Sequence, residues 1–210
     1  MVNSDPGRVV HYQQMYDRMA PFYAGAMRLI PPWRRYTEQV LPWLYDLSPE
    51  ATVVEIGPGP GVLLEKLTRL FPVTIGLDLS TGMLQRAAER LEDRGLPPRL
   101  VQGNATSLPL ATESVDAVVA TFTFSAIPDG ERAMMEFARV LKPGGQVILV
   151  DAGEPADGNP MGVALARLWE RFDDFMREEA DLMRLVGLTV IERRDFGAFD
   201  SIRLVMGRKE

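Results

Sequence analysis

ATVVEIGPGPGVLLEKL, residues 51–67, reads as a strand, a glycine turn and a helix in immediate succession. Thr52–Ile56 is β-branched and apolar enough for a short buried strand, and Gly57-Pro58-Gly59-Pro60-Gly61 breaks it. Leu63, Leu64, Leu67 and Leu70 then recur at helical spacing. Glycines at such a turn let the backbone come close to a ligand, and the free N–H groups that open a helix favour negative charge. A small polar cofactor is expected there. The dinucleotide fingerprint G-x-G-x-x-G fails, because position 62 is Val62 and the third glycine arrives one residue early, at Gly61.

An acidic residue followed by G-x-G-x-G, here Glu55, Gly57, Gly59 and Gly61, resembles the first motif of the class I S-adenosylmethionine (AdoMet) methyltransferases. A carboxylate at Glu55 suits a ligand that ends in an ammonium group and carries a sulfonium, and suits a pyrophosphate poorly. VTIGLDL, residues 73–79, reads as the second strand. It ends in Asp78 about twenty residues past the glycines, where a carboxylate accepts two hydrogen bonds from ribose hydroxyls. AdoMet and NAD share that ribose, so Asp78 supports the site without choosing between them. Ser80 is placed to cap the next helix, whose apolar face is Met83, Leu84, Ala87, Ala88 and Leu91. A short third strand over 99–103 leads into Asn104-Ala105. The resemblance implies Asp-Ala at this place, with the side chain taking the adenine amino group and the next backbone N–H reaching a ring nitrogen. The Asn104 amide oxygen is expected to keep the acceptor role. The cofactor set is then Glu55, Gly57, Gly59, Gly61, Asp78, Leu79, Met83, Asn104, Ala105 and Thr121.

With 210 residues, 46% hydrophobic and 25% charged, the chain suffices for one domain with a sizeable core and is short for two. It reads as a single methyltransferase domain over 1–210, a helical cap over 1–46 on an α/β core over 47–210. No apolar run has transmembrane length and no leader pattern opens the chain, so a cytoplasmic protein is expected. The absence of cysteine excludes disulfides, thiolate metal sites and a Cys nucleophile, and one histidine, His11, leaves little for a metal; none is expected. A net charge of −6 argues against nucleic-acid binding, which needs a basic surface.

Residues 8–44 read as two or three helices ahead of the sheet. Tyr12, Met15, Tyr16, Met19 and Tyr23 fall at helical spacing, Pro21 is expected to interrupt them and Pro31-Pro32 to break the chain. Trp33, Tyr36, Val40, Leu41 and Leu44 form a second apolar stripe. YDRMAPFY, residues 16–23, followed by PPWRRY, is similar to the N-terminal segment of the ubiquinone and menaquinone C-methyltransferases. It is similar, more loosely, to that of bacterial phosphatidylethanolamine N-methyltransferases. That likeness implies a segment lying over the AdoMet site and lining the acceptor pocket. Tyr16 and Tyr23 are the positioning candidates. Tyr12, Phe122, Phe124 and Trp169 are candidates for the pocket wall.

VDAVVAT, residues 115–121, is nearly all apolar, as a central parallel strand covered on both faces should be, and Asp116 at its start is expected to serve the fold. A helix over 131–141, a Lys142-Pro143-Gly144-Gly145 turn and a strand over 146–151 follow. ARVLKPGGQVILVD, residues 138–151, again resembles the methyltransferase family. Residues 160–186 read as an amphipathic helix or pair. Nine acidic residues against three arginines over 151–181 read as a solvated face or as an attractor for a cationic acceptor. Strands over 188–193 and 202–207 fit an antiparallel closing hairpin. The expected fold is α/β and Rossmann-like: a seven-stranded, mostly parallel sheet with an antiparallel C-terminal hairpin and an N-terminal helical cap.

The reaction such a fold implies is in-line displacement of an activated methyl, for which alignment and exclusion of water matter most. No general base is evident. The expected partner is a small-molecule or lipid acceptor, a hydrophobic molecule such as a quinone precursor first, with phosphatidylethanolamine as the alternative and peripheral contact of the cap with an anionic membrane. A non-catalytic AdoMet-binding protein is the rival of another class. A small NAD-dependent reductase would need a Tyr-x-x-x-Lys or similar hydride site, which the sequence lacks.

Overall fold

The computed structural model describes residues 6–28, 33–170 and 175–210. Helices α1 (Pro6–Arg28) and α2 (Trp33–Thr37) and a 3-10 segment (Glu38–Leu44) precede β1 (Thr52–Ile56), α3 (Val62–Leu70), β2 (Val73–Asp78), α4 (Thr81–Glu92) and β3 (Leu100–Gln102). The second half is β4 (Val115–Thr121), α5 (Gly130–Val140), β5 (Leu141–Ala152), α6 (Pro160–Glu170), α7 (Glu179–Leu185), β6 (Leu188–Phe196) and β7 (Ile202–Lys209).

The seven strands form one sheet in the order β3-β2-β1-β4-β5-β7-β6. The first five are parallel, β7 runs antiparallel to β5, and β6 antiparallel to β7. Alternation along the central strands sends neighbours into opposite cores. Val54, Val118 and Leu149 face α5 and α7 through Met134, Phe137 and Met183. Val53, Val119 and Ile148 face α3 and the 3-10 segment through Leu63, Leu67, Val40 and Leu44. The chain winds outward from β1 to β3 and returns to the other side of β1 as β4. Between the ends of β1 and β4 lies the switch point, where open α/β sheets hold ligands.

Three local features differ from expectation. α1 runs through Pro21 instead of stopping there. The proline forfeits the bond its N–H would give to the Asp17 carbonyl, and that carbonyl packs against Gly82 of α4, where a Cβ would approach it to 3.3 Å. Packing of α1 on α4 outweighs the lost bond. The Lys142–Gly145 stretch lies inside β5, since Leu141 is already extended and pairs with Val115 before Gln146 pairs with Ala117. The residues between bulge out, with Gly144 at φ 78°. The acidic stretch is drawn partly inward: Glu178 and Glu179 lie against the buried guanidinium of Arg203, which also bonds Asp195 of β6. The Pro31-Pro32 break and Phe172 lie outside the described residues. Asp116 serves the fold as expected, accepting from the Thr52 N–H and from Lys142 Nζ, both at 2.8 Å. No helix among the described residues is long and apolar enough to cross a membrane.

Candidate functional site

β1 delivers Glu55 and the glycine turn to the switch point. Gly57, Gly59 and Gly61 all have positive φ, at 63°, 50° and 76°, a region that favours glycine. Two of them are also held by space. A Cβ on Gly57 would strike the Thr123 side chain, whose hydroxyl donates to the Gly57 carbonyl at 3.1 Å. A Cβ on Gly61 would come within 3.1 Å of the Ala87 backbone in α4. The third glycine therefore seats α3 on α4, where a dinucleotide fingerprint seats its helix on the strand.

Glu55 is 2% exposed, and its Oε2 is buried with no hydrogen-bond partner among the described residues. Burial, with the charge of Asp78 behind it, pushes its carboxyl up to about 8. Asp78 is pushed up to about 6 by burial, against the pull of the N–H groups of Ser80, Gly59 and Leu79. Its Oδ1 takes the Ser80 N–H at 2.9 Å and its Oδ2 the Gly59 N–H at 3.2 Å, and these N–H groups do not exhaust the lone pairs of a carboxylate. Two strained carboxylates, one with an orphan oxygen, call for a cationic group and for hydroxyl donors. AdoMet offers both, an ammonium for Glu55 and a ribose diol for Asp78. Among the described residues no cluster of three His, Cys, Asp or Glu is arranged to hold a metal ion.

Ser80 caps α4 as expected, accepting from the Met83 N–H at 3.1 Å, and Met83 is buried. Asn104 follows β3, beside Asp78, whose carbonyl accepts the Gly103 N–H. Its amide oxygen is not left for a ligand, because it accepts both the N–H and the hydroxyl of Thr106 at 2.9 Å. Ala105 is buried beside it.

Thr121 ends β4 and is nearly buried. Phe122, at φ 51°, turns out of the strand and stacks on Trp33 of α2 at 3.7 Å between ring centroids. Phe124, expected at the pocket wall, is instead a core residue, 1% exposed and packed on Phe137, because the chain turns back under the sheet there. Tyr12 is buried on α1 and Tyr16 is half-buried one turn on. The side chains of Tyr23 and Trp169 lie outside the described residues. His11 is exposed.

Two residues that sequence reasoning passed over complete the arrangement. Asp17 of α1 accepts from the Ser80 hydroxyl at 2.5 Å and from the Gly82 N–H at 2.9 Å, so the cap is tied to the start of α4 immediately beside Asp78. Only its place inside YDRMAPFY marked it. Arg177 donates to the carbonyls of Phe124, Ile127 and Pro128 and fixes the loop after β4; no local signal distinguished it from a surface arginine.

Residues 54–149 match the family described as a methyltransferase domain. The chain is 42% identical over 101 residues to a phosphatidylethanolamine N-methyltransferase of Cereibacter sphaeroides, a match covering 47% of this chain and 49% of that one. It is 30% identical over 164 residues to a ubiquinone/menaquinone biosynthesis C-methyltransferase of Syntrophotalea carbinolica, covering 75% of this chain and 67% of the relative. The chain thus spans about half of the first relative and two thirds of the second. Among solved structures, a putative methyltransferase in complex with the Haloferax volcanii Trm112 activator superposes with a TM-score of 0.74, at 23% identity, over 92% of this chain and 96% of the other.

Proposed function

Since the chain belongs to the AdoMet-dependent methyltransferases, we propose that its acceptor is a hydrophobic small molecule such as a quinone precursor, held between the cap and the exit of β4. AdoMet supplies a methyl already activated by its positive sulfur. The protein's share is to orient and to keep water out. In this reading Glu55 and Asp78 fix the two ends of the cofactor, α1 covers it, and Tyr16 fences the side on which the acceptor arrives.

The observation that carries the acceptor class is the Trp33–Phe122 stack. It sets an aromatic platform from the cap on the residue leaving β4, next to the Thr123–Gly57 contact. A flat conjugated ring matches such a platform, whereas a small polar metabolite needs several convergent polar groups. An acceptor that ionises by itself, as a hydroxylated ring does, suits such a site, because it needs no general base from the protein.

A second reading, methylation of a phospholipid amine, is favoured by the likeness to the phosphatidylethanolamine enzyme. It is favoured too by Arg18 and Phe22, both exposed and one turn apart on α1. The distinguishing experiment supplies labelled AdoMet with a demethylated quinone or with phosphatidylethanolamine vesicles. Label in the quinone supports the first reading, and label in the lipid the second. Label only in a small polar amine or thiol contradicts both.

A further inference from the structure

The Asn104 carboxamide is locked with its oxygen inward. Oδ1 accepts the Thr106 N–H and the Thr106 hydroxyl, both at 2.9 Å, which occupies both lone pairs. A backbone N–H is a donor in every state, so turning the amide over would set two N–H donors against each other. The loop cannot move aside to allow it. Arg132 holds the Thr106 carbonyl, Glu136 the Leu108 N–H, and Arg139 the carbonyls of Leu108 and Leu110. What remains for a ligand is Nδ2, which makes no hydrogen bond among the described residues. The next backbone N–H, that of Ala105, likewise has no acceptor among them.

Two donors side by side are the wrong complement for the edge of adenine, which pairs an acceptor, ring N1, with a donor, the exocyclic amine. The edge of the β3 end is where the base must lie if the ribose sits on Asp78. Asp78 pairs with Gln102 across β2 and β3, and Asn104 follows two residues later. Neighbouring strands are about 4.8 Å apart, the reach from a sugar to its base.

Resting on the cofactor reading above, we propose that this chain does not select for the exocyclic amine of adenine: Asn104 offers that amine a donor where it needs an acceptor, so that nucleosides with no amine at that carbon bind at least as well as the adenosine forms. An aspartate at 104 would still accept from Thr106 through one oxygen and would offer the other to the amine. Selectivity for the amine should therefore return with Asn104→Asp.

The test is calorimetry with two probes, S-adenosylhomocysteine and its 6-deamino analogue, in which purine replaces adenine and N1 remains an acceptor. Wild type should bind the 6-deamino analogue at least as tightly as S-adenosylhomocysteine, to within about threefold, and Asn104→Asp should favour the adenosine form by about tenfold or more, the size of one charge-assisted hydrogen bond. A wild-type preference for S-adenosylhomocysteine of more than about threefold overturns the proposal and leaves the cofactor reading standing. Failure of S-adenosylhomocysteine to bind at all overturns both. The wild-type ratio decides the matter even if the variant folds poorly.

Discussion

The carboxylate of Asp17 accepts the hydroxyl of Ser80 at 2.5 Å across 63 positions of sequence, and Ser80 in turn caps α4 two residues past Asp78. One side chain thus ties the cap to the cofactor site. Burial pushes the Asp17 carboxyl up, but the bonds from Ser80, Gly82 and Thr81 outweigh it and hold the group below the usual aspartate range. The latch is therefore intact above that range and is lost as pH falls through the lowered value.

Replacing Asp17 by alanine should free α1. A hydrogen bond to a charged group contributes about 1.5 to 3 kcal/mol, so amide exchange over residues 6–28 should speed up by roughly tenfold or more. Affinity for S-adenosylhomocysteine should fall with it. Exchange read by mass spectrometry checks this, and unchanged protection of α1 would show that packing alone holds the cap.

Glu55→Gln should have opposite effects on stability and binding. In the ligand-free protein the Glu55 carboxyl titrates near 8 and, unfolded, near 4.5. The folded state then holds the extra proton between those values, and stability falls as pH rises through the window. Glutamine removes that slope, so the difference in melting temperature between variant and wild type should grow in the variant's favour from pH 5 to pH 8. S-adenosylhomocysteine should bind the variant roughly tenfold more weakly or worse, because the amide cannot neutralise an ammonium. Melting curves across pH, paired with calorimetry, measure both.

Arg203 is 2% exposed and bonded to Asp195 at 2.9 Å, with Glu179 at 3.5 Å and 3% exposed. Arg203→Met would leave Glu179 buried without its cation and Asp195 with Arg193 alone, a loss of about 3 to 5 kcal/mol. Urea denaturation should show it as a lower midpoint at an unchanged slope. A loss near zero would mean that the carboxylates simply take up protons.

The cap is also expected to meet anionic membranes. Residues 1–37 carry Arg8, Arg18, Arg28, Arg34 and Arg35 against Asp5 and Asp17. Asp17 is engaged with α4, Phe22 is 76% exposed, and each arginine near an anionic surface contributes about 1 kcal/mol. Sedimentation with anionic liposomes should be salt-sensitive and should weaken in Arg18→Glu with Phe22→Ser. Equal sedimentation of the variant would remove the cap from the contact.

Much of this was legible in the chain because it rests on local pattern. The runs 52–56 and 115–121 became strands at those bounds, and Ser80 caps its helix, since β-branched runs and cap residues act within a turn or two. The carboxylates at the strand ends, Glu55 and Asp78, were legible for the same reason. Long-range contacts were not. Nothing local shows that Pro21 would be tolerated because α1 packs on α4, that Phe124 would turn into the core, or that Thr106 would consume the Asn104 oxygen. Asp17 and Arg177 gain their roles from partners 63 and 53 positions away.

The central claim is that AdoMet sits at the glycine turn with its ribose on Asp78, and calorimetry on Asp78→Ala tests it most directly. Loss of a charge-assisted contact of about 1.5 to 3 kcal/mol predicts a fall in AdoMet affinity of roughly tenfold to a hundredfold. Unchanged affinity in the variant, or tighter binding of NAD than of AdoMet by the wild type, would contradict the account.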